Sequence, residues 1–154
     1  MKTGTDPDAN TVNVAAAPAT VADLTSLKAP VNPPNDRRVA PTELTTYAVK
    51  ATMTGFKREG DSDYHIVITD VGRTMIVEIP HPDCVGSASP FRAQIVQARA
   101  KFDTAYTPRQ TFTTTSVPVT VTGVGFFDRL HRQTGVAPNG IELHPVLDIR
   151  LGSH

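Results

Sequence analysis

The sequence predicts a mainly β domain with one helix, arranged as a five-stranded OB-fold-like Greek-key barrel in the order β-β-β-α-β-β. Three observations predict this fold. Several segments alternate apolar and polar side chains with the two-residue period of a strand. One segment, placed between the third and fourth strands, repeats its apolar residues with helical spacing. The first strand is long and carries a glycine near its end, which suits a strand that curves through both halves of a barrel. An open α+β sheet with one covering helix is the alternative fold.

Composition limits the class of protein. A chain of 154 residues suits one domain with a hydrophobic core. Fifteen basic residues balance fifteen acidic ones, so the zero net charge does not favour nucleic acid or an anionic membrane as the partner. The single cysteine, Cys84, excludes an internal disulfide and a multi-cysteine metal site. No apolar run reaches the roughly 18 residues of a membrane span.

Residues 1–43 are predicted to form an N-terminal arm, extended or disordered, ahead of an OB-fold-like barrel domain at residues 44–151. The arm is rich in Ala, Pro, Thr and Asn and shows little periodicity. An ordered arm and plain disorder are both open at this point. Within the arm, TVNVA has the pattern of an edge strand, and TVADLTSL that of one helical turn.

The first three predicted strands follow from Leu44 onwards. The stretch LTTYAVKATMTGFK alternates over most of its length, and Gly55 near its end predicts a bulge or bend. YHIVITD and TMIVEIP predict the second and third strands, joined by a tight turn at residues 71–73. Pro80 and Pro82 end the third strand, since proline cannot donate to a strand ladder.

The helix is predicted to begin at Ser89, a good N-cap, with Pro90 in its first position. Its apolar stripe predicts the face that packs on the barrel, and it consists of Phe91, Ile95, Ala98 and Phe102. VPVTVTGVGFF and IELHPVLDIRL predict the fourth and fifth strands.

Strand alternation indicates a polar face outside the barrel. In the fifth strand Ile141 and Leu143 should point inward, so Glu142 and His144 should stand outside, side by side. Glu78 in the third strand falls on the same side and interrupts an apolar run, so it faces water or is paired. The third and fifth strands are neighbours in an OB barrel, which brings Glu78 towards Glu142 and His144.

The loop before the fifth strand adds Asp128 and His131, and in OB-folds this loop flanks the usual ligand face. Two imidazoles with carboxylates are the parts of a divalent metal site, and Asp128, His131 and His144 are the predicted ligands. They are equally the parts of a general acid/base pair, for which Glu78, His131 and Glu142 are the catalytic candidates. No HExxH or CxxC signature supports a metal.

Each candidate also has a purely structural interpretation. Asp128 can cap a short helix over RLHRQT that ends at Gly135. Asn139 can serve as the third residue of a β-turn over APNG. Glu142 and His144 can belong to an ordinary solvated strand face.

Five further residues are predicted to bind a ligand on the same side of the barrel. Arg129 and Arg132 are the basic residues of the loop, and Asn139 follows them. The second strand supplies Tyr64 and His65, although its alternation does not decide which side faces inward. Exposed aromatic side chains are scarce, which disfavours binding of single-stranded nucleic acid.

Four phrases, ELTTYAVKA, DSDYHIVITD, TMIVEIPHPDC and GVGFFDRLHRQTGVAPNGIELHPVLDI, together resemble a group of small, often exported bacterial proteins that carries no functional assignment. The resemblance covers about residues 43–149. It implies a bacterial, periplasmic or extracellular protein whose signal peptide is absent from this chain. The strand order also resembles the staphylococcal-nuclease type of OB barrel, but no matching set of catalytic residues is present, and fold alone does not imply function.

Three functions are therefore open. The leading one is a small exported OB-type binding domain, with its ligand face on strands two, three and five and the loop at residues 125–140. The second is a metal-assisted hydrolase of phosphodiesterase or nuclease type. The third is a structural or assembly subunit that adds its N-terminal arm to a neighbour's sheet.

Overall fold

The chain forms a closed β-barrel with one substantial helix on its surface. It is described by a computed structural model that covers residues 1–130 and 132–152. The elements are β1 (Asn13–Ala19), α1 (Val21–Thr25), β2 (Thr45–Arg58), β3 (Tyr64–Asp70), β4 (Arg73–Ile79), α2 (Arg92–Asp103), β5 (Thr113–Phe127) and β6 (Ile141–Leu151). Single 3-10 turns lie at Ala9–Thr11, Thr42–Leu44 and Pro82–Cys84.

Strands β2 to β6 close the barrel in the order β2-β3-β4-β6-β5, and β5 returns to pair with β2. The pairs are antiparallel except β4 and β6, which run parallel. This is the predicted OB-type barrel, with its helix between the third and fourth barrel strands. The sheet differs from the prediction by one strand, because β1 pairs in parallel with β2.

The glycine in β2 bends the strand, as the sequence predicts. The pairing register of β2 shifts between Met53 and Gly55 on both of its sides. A Cβ atom at position 55 would lie 2.4 Å from the ring of Phe112, so the close approach requires glycine. β2 pairs with β5 from Thr46 to Phe56 and with β3 from Thr52 to Arg58, so the bend lies in the part of the strand that has both neighbours.

Helix α2 buries the predicted stripe of Phe91, Ile95, Ala98 and Phe102 completely. The helix begins at Arg92, three residues after the predicted N-cap. Ser89 does not cap it in the ordinary way. Its hydroxyl donates to the carbonyl of Thr3 at 2.7 Å and accepts from the backbone N–H of Phe91 at 3.3 Å. The residue therefore ties the N-terminus of the chain to the start of the helix.

Residues 1–43 fold onto the barrel. Val21 and Leu24 of α1 are buried in the core, and the helix is closed at its start by a capping box between Thr20 and Asp23. None of the described helices is long and apolar enough to cross a membrane.

The barrel strands sort their side chains into two faces. The inner face carries the main core, which includes Ile66, Val77 and Leu143. Side chains one position away along the same strands point outwards, and we call them the outer face. They are His65, Val67, Ile76, Glu78, Phe126, Glu142 and His144. All of them are buried as well, because other parts of the chain cover this face.

Candidate functional site

Two imidazoles and three carboxylates meet on the outer face of β3, β4 and β6. We call Asp63, His65, Glu78, Glu142 and His144 the outer-face cluster. Strand register brings four of them together. His65 pairs with Glu78 across β3 and β4, while Glu142 lies beside Ile76, two residues before Glu78. Asp63 joins from the turn before β3. All five residues are classed as buried.

Glu78 is the centre of the cluster. Its Oε1 lies 3.3 Å from Nδ1 of His65, and its Oε2 lies 3.0 Å from Nδ1 of His144. Burial by itself raises the pKa of Glu78, but the contacts with His144 and His65 outweigh burial and hold this pKa far below its ordinary value. The group is therefore a carboxylate at neutral pH.

His144 lies among three acids. Besides Glu78, it has Oε2 of Glu142 3.7 Å from Nδ1 and Oδ2 of Asp63 3.9 Å from Nε2. Burial lowers the pKa of His144, but Glu142 and Glu78 outweigh burial and raise it to about 9. Neither ring nitrogen makes an aligned hydrogen bond with a described residue, and neither does Oε2 of Glu142. The contacts of His144 are thus electrostatic, without the geometry of a hydrogen bond.

Among the described residues, both ring nitrogens of His65 have hydrogen-bond partners, unlike those of His144. Its Nε2 lies 2.9 Å from the carbonyl oxygen of Thr134, and its Nδ1 faces Glu78. Both partners are acceptors, so both ring nitrogens must carry hydrogen to satisfy them. Burial lowers the pKa of His65, but these two partners outweigh burial and raise it. The two acceptors and the raised pKa both favour the imidazolium form of His65, which lies against one oxygen of Glu78.

The N-terminus covers one side of this cluster with an ammonium group. Nζ of Lys2 donates to Oδ2 of Asp128 at 3.0 Å and lies 5.3 Å from the ring centroid of Phe126. Burial lowers the pKa of Lys2, but Glu142 and Asp128 outweigh burial and raise it. The side chain is nevertheless 40% exposed. Lys2 is thus a cation at the solvent edge of an acidic site.

Loop residues cover the rest of the outer face. A Cβ atom at Gly135 would lie 2.5 Å from the side chain of Val67, and the φ angle of Gly135 is +84°. Thr134 contributes its carbonyl to His65 as described above. The loop before β6 therefore seals the barrel wall over β3.

The predicted exposure of Glu142 and His144 is wrong. They stand on the side of β6 opposite the core, as alternation indicates, but each is 1% exposed. The reason is that Lys2 and the loop before β6 lie against this face. A solvated strand face is therefore not a valid interpretation for either residue.

The loop also differs from its predicted local structure. Residues 128–130 and 132–134 form no helix, so Asp128 does not act as a helix cap in the described part of the loop. Instead its backbone N–H donates to the carbonyl of Gly140. His131, predicted as a metal ligand and catalytic candidate, lies outside the described residues.

The predicted binding residues divide between the cluster and structural positions. His65 belongs to the cluster. Tyr64 points to the other side of β3, where its hydroxyl donates to Asp103 at 2.8 Å. Arg129 donates to Asn35 at the surface, and Arg132 is exposed. The structure does not bring these two arginines into the cluster.

Asn139 holds two segments together. Its Nδ2 donates to the carbonyls of Leu24 and Leu27, both at 2.9 Å, and its Oδ1 accepts from the N–H of Ile141 at 3.2 Å. The predicted turn is present, with the N–H of Gly140 donating to the carbonyl of Ala137. The amide therefore links α1 to the start of β6.

Sequence reasoning missed Asp63 and Lys2. Asp63 is one residue before β3 in a polar turn, where an acid is common, and its position two residues before His65 was the available signal. Oδ1 of Asp63 accepts from the N–H of His81 at 2.7 Å, so the turn fixes the carboxylate beside the cluster. Lys2 lies 62 residues before the start of β3, and no pattern in the sequence connects it to the site.

The donor set suits a cation. One ligand atom each from Asp63, Glu78 and His144 lie within 4.8 Å of one another, and all three residues are buried. The same groups form an acid–imidazole–acid array that can hold and pass protons.

Comparison with known proteins shows similarity at the level of the fold. No protein-family model matches the chain, and no curated protein matches it. A structure described as an aspartyl-tRNA synthetase from Leishmania major Friedlin matches with a TM-score of 0.50 and 15% identity, covering 94% of this chain and 22% of that chain. This similarity shows the fold alone, and it agrees with an OB-type barrel.

Two structures of Entamoeba histolytica asparaginyl-tRNA synthetase, the second in complex with asparaginyl-adenylate, match with TM-scores of 0.49 and 0.44. Their identities are 6% and 10%, and the matches cover 89% and 79% of this chain and 23% of each synthetase chain. The chain thus spans less than a quarter of the length of each of the three structures.

Proposed function

We propose that the chain is an OB-type binding domain whose ligand is positively charged and binds at the outer-face cluster. The observation that carries this proposal is the burial of three carboxylates around two imidazoles, with the ammonium of Lys2 at their edge. The face coincides with the predicted ligand face on β3, β4, β6 and the loop at residues 125–140.

The charge of the cluster favours a cation. Glu78 is held as a carboxylate, and Oε2 of Glu142 lacks an aligned donor among the described residues. The cluster has three carboxylates and two imidazoles, so even with both rings protonated one negative charge is left for a further cation to neutralise. Phosphate groups would be repelled by the same acids, which disfavours a nucleic-acid backbone at this face.

The ammonium group of Lys2 occupies the position that we propose for the charged group of the ligand. This ammonium lies against the ring of Phe126 and interacts with Glu142 and Asp128, which is the environment that an incoming cation would find. Because the side chain is partly exposed, it can leave the face without unfolding of the barrel. A free cation would therefore compete with Lys2.

One of the similar structures is described as an aspartyl-tRNA synthetase, which suggests tRNA as a partner, but the acids of the outer face favour a cation over RNA.

The assembly-subunit alternative has less support, because the arm places β1 on the chain's own sheet. Export of the protein is part of our proposal and rests on the resemblance described above.

The proposal is tested by chemical-shift mapping with methyl-labelled protein. Butylammonium chloride, MnCl2, ZnCl2 and sodium phosphate are the probes, and Val67 and Ile76 report on the outer face, while Val49 and Ile95 report on the core. We expect at least one cation to affect the outer-face methyls selectively. The variant Lys2→Met should bind that cation more tightly, because the internal competitor is removed. Shifts caused by phosphate alone, or by no probe, would contradict the proposal.

A further inference from the structure

We infer that Asp63, Glu78 and His144 form a binding site for one divalent transition-metal ion. The inference rests on the proposed function and names the cation. Ligand atoms bound tetrahedrally to one ion at about 2.0–2.2 Å are about 3.3–3.6 Å apart. The three donor atoms lie within 4.8 Å of one another, so side-chain rotations that move them by up to about 1 Å complete the geometry.

In Asp63 and in Glu78, one carboxylate oxygen contacts another residue and the second oxygen faces His144. Oδ1 of Asp63 accepts from the backbone N–H of His81, which leaves Oδ2 on the side of His144. Oε1 of Glu78 faces His65, which leaves Oε2 3.0 Å from Nδ1 of His144, whereas Oδ2 of Asp63 is 3.9 Å from Nε2 of the same ring. Donors that hold one oxygen and orient the other are the usual second layer of a metal site.

The unpartnered atoms are an independent observation. His144 is 1% exposed, and neither of its ring nitrogens has an aligned hydrogen bond among the described residues. Buried polar atoms normally find a partner, and each exception requires an explanation. A metal ion bound to one ring nitrogen would provide that partner and would displace the proton that this nitrogen carries in the imidazolium. Oε2 of Glu142, 3.7 Å from the ring, is a further acceptor next to the same position.

The donor types indicate the class of ion. One imidazole and two carboxylates suit Zn²⁺ or Mn²⁺, whereas Ca²⁺ is bound by six to eight oxygen ligands. Three protein ligands also leave coordination positions for water or a further ligand. The site differs from the predicted set of Asp128, His131 and His144 in two of its three ligands.

The test uses the full chain after chelation and dialysis, titrated calorimetrically with ZnCl2 and MnCl2. We expect one ion per chain for at least one of the two metals. Asp63→Asn and Glu78→Gln keep the shape of the side chain and should each weaken binding more than about tenfold, as should His144→Asn. Glu59→Gln is the matched control, because Glu59 lies 3.6 Å from His65 on the same side but supplies no ligand. It should bind like the parent chain.

Circular dichroism identifies variants that fail to fold, and the conclusion rests on those that fold. If neither metal binds while butylammonium still affects the outer face, the metal site is overturned and the proposed function stands. If no cation binds, both fail. If metal binds the parent chain and Glu59→Gln weakens binding as much as Glu78→Gln, or Asp63→Asn and Glu78→Gln have no effect, the assigned site is wrong.

Discussion

The N-terminus is held over the outer face by one buried ion pair, and this pair gives a quantitative prediction. Nε of Arg38 donates to Oδ1 of Asp6 at 2.9 Å, and Nη2 donates to Oδ2 at 2.7 Å. The two side chains are 0% and 5% exposed. Arg38 also donates to the carbonyls of Met1 and Glu43. The guanidinium thus connects the first residues of the chain to the segment that leads into β2.

Arg38→Met retains most of the apolar stem and removes the charge and all five donors. It leaves the carboxylate of Asp6 buried, with the terminal ammonium of Met1 3.8 Å away. Breaking a buried ion pair by removing one partner costs about 3–5 kcal/mol, a large part of the roughly 5–15 kcal/mol that stabilises a domain. We expect a loss of about 3–5 kcal/mol in the free energy of unfolding.

Urea denaturation of the parent chain, Arg38→Met, Asp6→Asn and the double variant measures the effect and the coupling between the two residues. The double variant should lose less than the sum of the single losses, since each change removes the same interaction. Arg37→Met is the control. Arg37 pairs with Asp36 at the surface, with side chains 71% and 75% exposed, and its loss should stay within about 0.5 kcal/mol. A loss below about 1 kcal/mol for Arg38→Met, or additive single losses, would refute the reasoning.

Two other predictions concern the segments around the barrel. Asn139→Ala removes two hydrogen bonds to the carbonyls of Leu24 and Leu27 and one that the amide accepts, so the unfolding free energy should fall by about 2–3 kcal/mol; a fall below about 1 kcal/mol would show that the amide is not structural. Burial raises the pKa of Glu43 above 4.5, against weaker opposing effects of two backbone N–H groups and Arg38. A raised folded-state pKa gives stability that is present below the unfolded value and lost as pH rises through the folded value, so the parent chain should be more stable relative to Glu43→Gln at about pH 4 than at about pH 7. Denaturation of both proteins at the two pH values measures the difference, and an equal or opposite difference contradicts the assignment.

The barrel was predictable because its signals are local. Alternation in β2 to β6 and the stripe on α2 depend only on neighbouring residues, and the order of the elements then selects the topology. The bend at Gly55 was predictable for the same reason, because a glycine within an alternating stretch is itself a local signal. The sixth strand was less evident, because TVNVA carries little apolar contrast and its pairing with β2 depends on a contact between distant parts of the chain.

The site was predictable in part. Alternation assigned Glu78, Glu142 and His144 to one face and brought them together. It said nothing about what covers that face, so the exposure of Glu142 and His144 was predicted wrongly. Lys2 and the loop around Gly135 cover the face. These contacts join residues that are far apart in the sequence, so the periodicity of the strands does not reveal them. Asp63 was missed because it lies in a turn, and strand alternation assigns a side of the sheet only to residues within a strand.

The bend at Gly55 has a consequence for how the molecule unfolds. Because β2 belongs to both halves of the barrel, neither the β3–β4 hairpin nor the β5–β6 hairpin can separate while the other keeps its full set of neighbours. Opening at the seam between β2 and β5 would remove a partner from each of these two strands at once. The barrel should therefore behave as one cooperative unit in hydrogen exchange, while residues 1–8 exchange at a lower free energy set by their own contacts.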